Sequence, residues 1–212
     1  MCRAGCRDKR CVGLFITSGQ TLPPLHRVCG IVISGSAAFV TVEEAWNFVA
    51  AEYILQAHSR KIPILGVCYG HQLLAWTFKG RVDFHPSGRE IGTTEIRLTA
   101  PGQNDRLLGN LPNPFLVQVS HLQSVSTLPD KAELLAENDF ESIHAFRLGA
   151  CTWGVQFHPE FDAQIMQAYL LERKEILQAE GLEPDALLRS VAPSPESGGL
   201  LKRFARIARG EI

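Results

Sequence analysis

The segment Ile62-Pro-Ile-Leu-Gly-Val-Cys-Tyr-Gly-His-Gln-Leu-Leu-Ala75 constrains the fold of this chain most. Residues 62–67 are a short apolar run, the pattern of a strand buried on both faces, and such strands belong to sheets covered by helices. The run meets a helical stretch with no loop between them; that stretch extends to about Phe78 and is stopped by Gly80. A strand that turns at once into a helix strains the backbone of the corner residue, and side chains two positions to either side would collide. Gly66 and Gly70 stand at those two positions around Cys68. The corner has the form of a nucleophile elbow with cysteine as the nucleophile. Its sulfur is expected above the carboxyl edge of a sheet and at a helix N-terminus, whose partial positive charge favours thiolate. A lone cysteine reads as a small core residue; strand, paired glycines and helix together set Cys68 apart.

Around this corner, strand and helix candidates alternate as in a layered α/β fold. Residues 12–17, 28–33, 92–99, 115–119, 134–136, 142–146 and 152–157 read as strands separated by Gly, Pro and Asn turns. Thr41-Val-Glu-Glu44 has the form of a capping box, ahead of a helix with Trp46, Val49, Ala50, Tyr53 and Ile54 at helical spacing. Asp162 can cap a helix with Ile165, Met166, Tyr169, Leu170 and Ile176 on one face, ended by Gly181. Residues 192–199 have the composition of a linker, and residues 200–209 that of a basic amphipathic helix expected to dock on its own domain. The predicted organisation is a poorly ordered basic leader over 1–11, a main domain over 12–180 and a C-terminal helical extension over 181–212.

With 212 residues, 45% of them hydrophobic, the chain can bury one substantial core. A net charge of -1 gives no basic field for nucleic acid or an anionic membrane. No apolar run approaches the length that spans a bilayer. The first eleven residues are basic without the apolar stretch of a secretory signal, so a cytoplasmic protein is expected. In that setting the six cysteines are read as free thiols. Cys2, Cys6 and Cys11 lack a CxxC pair and a clear fourth ligand, so they read as part of the leader rather than as a metal site.

Attack by cysteine on an amide needs a base and proton donor, usually histidine, and a third group to fix its tautomer. Among seven histidines, His158 ends a strand candidate, is stiffened by Pro159, and is followed by Glu160, which could reach back to the imidazole. It shares a rim with Cys68 if the two strands are parallel neighbours. His71 needs no catalytic role, and a Cys68/His71 metal pair lacks further ligands.

Gly-Val-Cys-Tyr-Gly-His-Gln-Leu-Leu-Ala followed by Gly-Val-Gln-Phe-His-Pro-Glu-Phe resembles the class I glutamine amidotransferases, among them the glutaminase part of GMP synthase and stand-alone relatives. The resemblance covers residues 28–161. It implies a flavodoxin-like three-layer α/β sandwich with a mostly parallel central sheet. It implies a Cys68, His158, Glu160 triad that hydrolyses the glutamine side-chain amide through a γ-glutamyl thioester, with no metal or organic cofactor. It further implies an oxyanion hole at Gly35, Ser36 and the backbone N–H of Tyr69, and substrate contacts from Gln72, Ser120 and His121. His121 could equally be a hydrogen-bonded loop histidine. A synthetase receiving ammonia is the implied partner. Two rivals keep the fold: a hydrolase of other γ-glutamyl amides or peptides, and a non-catalytic regulatory or binding domain. The chain departs from the family in two places. Its loop reads Gly35-Ser36-Ala37 where the family often has Gly-Gly-Pro. Residues 1–11 cannot supply the apolar strand and helix with which the family opens, so that strand is expected to be missing or replaced and a sheet edge exposed.

Overall fold

Residues 11–212 are described by a computed structural model in which strands and helices alternate. In chain order they are β1 (Ile31–Ile33), α1 (Ala45–Ser59), β2 (Ile64–Val67), α2 (Tyr69–Thr77), β3 (Arg81–Phe84) and β4 (Glu90–Leu98). Then come α3 (Ala100–Gln103), β5 (Phe115–His121), β6 (Gln123–Thr127), β7 (Ala132–Glu137), β8 (Ala145–Leu148) and β9 (Thr152–Val155). The helices α4 (Ala163–Glu172), α5 (Lys174–Ala179), α6 (Pro184–Ser190), α7 (Pro195–Gly198) and α8 (Leu200–Ala208) complete the chain.

The expected α/β fold is the one adopted. One sheet runs β1-β2-β9-β8-β7-β4-β5, and β3 pairs with β6 in a separate ribbon. β1, β2 and β9 are mutually parallel, whereas β9-β8, β8-β7, β7-β4 and β4-β5 are antiparallel. The division follows connection length: α1 carries the chain back between β1 and β2, while β8 and β9 are joined by a turn too short for a parallel crossover. Along β2 the side chains alternate. Ile64 packs with α1 and α2, and Leu65 and Val67 face the opposite cluster, which holds Trp153 and the Leu200, Phe204 and Ile207 face of α8. The basic amphipathic helix therefore buries its apolar stripe in its own domain. No helix among the described residues is long and apolar enough to cross a membrane.

Several sequence expectations differ from the structure, each for a local reason. Residues 12–17 do not form a strand: Ile16–Ser18 is a single 3-10 turn, and Val12, Leu14 and Phe15 are exposed. A strand needs a neighbour, and no described strand pairs with this segment. The proposed leader lies outside the described residues except for Cys11. Among the described residues no strand precedes β1, which forms one edge of the sheet. The capping box does not form either. Thr41 sits in a 3-10 turn and its hydroxyl accepts from Gln123 Nε2 at 2.6 Å, while α1 starts at Ala45 without a side-chain cap. Asp162 does cap α4, accepting from the Ile165 N–H at 2.8 Å. The helix then breaks at Arg173, which shifts the phase: Leu177 is buried and Ile176 is half exposed. Residues 192–199 are a packed strap rather than a loose linker. Gln118 Nε2 donates to the Ala192 carbonyl at 2.8 Å and to Ser194 Oγ at 3.1 Å, and Ser194 and Ser197 are buried.

Candidate active site

The parallel strands β1, β2 and β9 bring three chain-distant segments to one rim. Cys68 follows the last residue of β2 and is the first residue before α2. Its backbone has φ 49° and ψ -102°, a combination that costs a non-glycine residue about 1–3 kcal/mol. Two features hold it there. The Cys68 N–H donates to the Val155 carbonyl on β9 at 2.8 Å, and α2 begins directly against the sheet. That close approach needs the two glycines: a Cβ on Gly66 would lie 2.3 Å from the Gly70 carbonyl oxygen, and one on Gly70 would lie 2.3 Å from that of Ile33. The side chain is buried, and its thiol points to the Ser120 carbonyl oxygen at 3.7 Å.

His158 lies just past β9, and its N–H donates to the Gln118 carbonyl on β5 at 2.8 Å. Its Nδ1 is 2.8 Å from Glu160 Oε1, and its ring stacks on Phe161 with centroids 4.4 Å apart. Burial alone would push its pKa down, but hydrogen bonding to Cys68 and Glu160, together with their negative charge, outweighs it and raises the pKa to about 10. Gly35, past the end of β1, closes the arrangement. A Cβ there would be 2.9 Å from His158 Cε1 and 3.6 Å from Cys68 Cβ, so the loop backbone touches both side chains. Cysteine, histidine, glutamate and the glycine loop thus share one small volume.

The remaining sequence candidates divide. Ser36 is exposed, and its hydroxyl accepts from the Ala38 N–H at 3.1 Å. Tyr69 follows Cys68 at the first position of α2. Its ring is buried against Trp46, its hydroxyl donates to Asn47 Oδ1 at 2.5 Å, and burial raises its pKa. Ser120 is buried with its hydroxyl unpartnered, and its carbonyl faces Cys68. Gln72 is buried and gives its amide hydrogens to the Gln123 carbonyl at 2.6 Å and to Gln156 Oε1 at 3.1 Å. His121 is less available than a substrate contact requires. Its Nε2 is 2.8 Å from Glu90 Oε2 and its Nδ1 is 3.1 Å from the Gln123 carbonyl oxygen, so both ring nitrogens are engaged inside the protein. It lies at the end of β5 rather than in a loop.

Sequence reasoning missed the group to which His121 is tied. Glu90, His121 and His144 form a buried cluster, with His71 packed nearby; burial pushes the His71 pKa down to about 3. No motif marks Glu90, since a charged residue beside Arg89 reads as surface. Only the cross-strand register Glu90↔His121 brings it inward. No group of three or more His, Cys, Asp or Glu side chains among the described residues could hold a metal ion.

Comparison with known proteins places this chain in a family. The first curated relatives are named GMP synthases, and the chain spans about a quarter of their length. The one from Porphyromonas gingivalis strain W83 is 38% identical over 137 residues, covering 64% of this chain and 26% of that protein. A relative from Methanopyrus kandleri, named as one separate subunit of a glutamine-hydrolysing GMP synthase, is 33% identical over 136 residues, covering 64% of this chain and 68% of that protein. A glutamine amidotransferase structure from Thermotoga maritima superposes with a TM-score of 0.73 at 23% identity, covering 90% of this chain and 83% of that one, a likeness of fold. The family model for glutamine amidotransferase class-I matches residues 17–177, three quarters of the chain, which therefore belongs to the class I glutamine amidotransferase family.

Proposed function

We propose that this protein hydrolyses the side-chain amide of glutamine to glutamate and ammonia through a γ-glutamyl thioester on Cys68. The observation that carries the reading is the meeting of the strained Cys68 with the His158–Glu160 pair against the Gly35 loop. Cys68 thiolate attacks the amide carbon, and the charge that develops on oxygen is met by backbone N–H groups of the Gly35-Ser36 loop and of Tyr69. Glu160 fixes Nδ1–H of His158, so Nε2 is the nitrogen that transfers protons. Protonated His158 gives a proton to the departing ammonia. It then takes one from water, whose oxygen attacks the thioester, releasing glutamate and restoring the thiolate. Ser120, with its unpartnered buried hydroxyl, and Gln72, with its free Oε1, are the contacts proposed for the amino-acid end of the substrate. His121 supports that end from behind.

Relatives named as GMP synthases, one of them as a separate subunit, support a synthetase as the recipient of the ammonia. The decisive experiment treats the protein with a diazo-ketone glutamine analogue and locates the adduct by mass spectrometry. Label on Cys68, lost in Cys68→Ala, is the expected result; a folded protein with no label there refutes the mechanism. Faster turnover of γ-glutamyl amines than of glutamine would reassign the substrate while keeping the chemistry.

A further inference from the structure

Behind the elbow lies a carboxylate that neither cysteine attack nor proton transfer uses. Glu90 opens β4 directly opposite His121 on β5 and is 8% exposed. Its Oε2 is 2.8 Å from His121 Nε2 and 3.3 Å from His144 Nε2, and its Oε1 accepts from Asn138 Nδ2 at 2.7 Å. A buried carboxylate persists only when paired and hydrogen-bonded, and these contacts fix its orientation. Burial would raise its pKa, but the hydrogen bond from His121 and the nearby His144 ring hold it well below the usual carboxylate range.

On the other side of the ring, His121 Nδ1 meets the Gln123 carbonyl oxygen at 3.1 Å. A carbonyl only accepts, so Nδ1–H is the donor in this contact. The same oxygen accepts from Gln72 Nε2 at 2.6 Å, and Gln72 Nε2 also donates to Gln156 Oε1 at 3.1 Å. Both amide hydrogens of Gln72 are thereby used, and its Oε1 has no hydrogen bond among the described residues. Gln72 lies one helical turn beyond Cys68, its N–H donating to the Cys68 carbonyl at 3.1 Å. An amide oxygen of fixed direction, one turn from the nucleophile, is an acceptor suited to an ammonium group.

From this chain of contacts we infer that Glu90 is a positioning residue for the α-ammonium end of the substrate, acting through His121, the Gln123 carbonyl and the Gln72 amide. The inference rests on the glutaminase reading above. With Glu90 in place the His121 ring cannot turn over, because one nitrogen faces a carboxylate and the other a carbonyl. With it removed, the ring is free to rotate, the Gln123 carbonyl loses one of two donors, and that carbonyl can shift together with the Gln72 amide that hangs from it. A shifted amide oxygen no longer meets the ammonium group at hydrogen-bonding distance.

The test compares wild type and Glu90→Gln on L-glutamine and on the mono-amide of glutaric acid. The second substrate keeps the scissile amide and the carboxylate but lacks the α-amino group. We expect kcat/KM for glutamine to fall about tenfold, mostly through KM, and kcat/KM for the analogue to change less than about twofold. Partial unfolding lowers the apparent kcat for both substrates alike and leaves their ratio untouched. In a Gln72→Ala background, Glu90→Gln should change that ratio no further, the signature of two residues acting in series. If Glu90→Gln does not fold, Asn138→Asp serves: it keeps the side-chain oxygen that caps the turn at Phe140 and Glu141 but sets a second carboxyl group against Glu90 Oε1. The same substrate-selective loss is expected from it. Equal losses on both substrates, or additive effects in the double variant, overturn the inference. Wild-type protein that hydrolyses neither substrate overturns the glutaminase reading, and this inference with it.

Discussion

Gly35→Ala tests whether the loop after β1 belongs to the chemistry. The backbone of Gly35 lies outside the left-handed region, so alanine brings no intrinsic strain, and the cost arises from what the new methyl meets. That methyl would sit 2.9 Å from His158 Cε1 and 3.6 Å from Cys68 Cβ. Carbon atoms settle at about 3.5–4.0 Å, so the imidazole or the loop must retreat by about 0.6–1.1 Å. The ring has little room to yield, being held by Glu160 at 2.8 Å and stacked on Phe161. A displacement near 1 Å at a reacting group costs about 10²-fold in rate. We therefore expect kcat/KM for glutamine to fall by about 30- to 100-fold, equivalent to about 2–3 kcal/mol of transition-state stabilisation. The loop is partly exposed, so folding stability should change by less than about 1 kcal/mol. Ammonia release, measured beside a thermal melt, separates the two quantities. Ser36→Ala is the control: its exposed hydroxyl bonds only the Ala38 N–H, and a backbone donor survives the change, so activity should stay within about threefold. Wild-type turnover in Gly35→Ala, or a loss matched by unfolding, would refute the reasoning.

Gly66→Ala sets a methyl 2.3 Å from the Gly70 carbonyl oxygen and should cost about 1–3 kcal/mol, lowering the urea midpoint at unchanged slope; a wild-type midpoint would contradict it. Asp105→Ala orphans the Trp153 indole N–H and the N–H groups of Leu107 and Leu108, so unfolding free energy should drop by about 2–4 kcal/mol. His158, raised from 6.5 to about 10, binds a proton in the folded state that the unfolded chain releases between those values. Its stabilising contribution is therefore complete below about pH 6.5 and lost as pH rises through about 10. Chemical denaturation at pH 7, 8.5 and 10 (assay settings of roughly even spacing) should show stability falling, and Cys68→Ala should flatten that fall; equal slopes in both proteins would contradict the account.

The elbow was legible because its constraint is local. A strand, a corner and a helix leave room for a hydrogen atom and nothing more at positions 66 and 70, and the sequence records that directly. Residues 12–17 misled because apolar composition does not supply a partner strand, and pairing is what makes a strand. Residues 192–199 misled in the opposite direction: Pro, Ser and Gly predict a free linker, but Gln118 on a distant strand ties down Ala192 and Ser194. The same distance hides Glu90. A carboxylate beside an arginine signals solvent until β4 is laid against β5 in register.

The convergence at the rim follows from strand direction more than from any single side chain. Gly35, Cys68 and His158 each lie one to three residues past the carboxyl end of a strand, and β1, β2 and β9 are parallel neighbours, so those ends coincide. Backbone hydrogen bonds then set the finer distances. Cys68 hangs from Val155 on β9, and His158 hangs from Gln118 on β5, so the nucleophile and its base are spaced by sheet register as well as by the contacts they make. A one-residue slip of β9 would break the first of these bonds and turn every side chain of the strand to the other face. The third component has weaker support. β1 is three residues long, Val32 is 52% exposed, and no described strand pairs with its outer edge. The loop carrying Gly35 is thus attached to the least secured strand of the sheet. Local opening draws on the regions with the fewest packed contacts, so this part of the site should loosen well before the Cys68–His158 pair does.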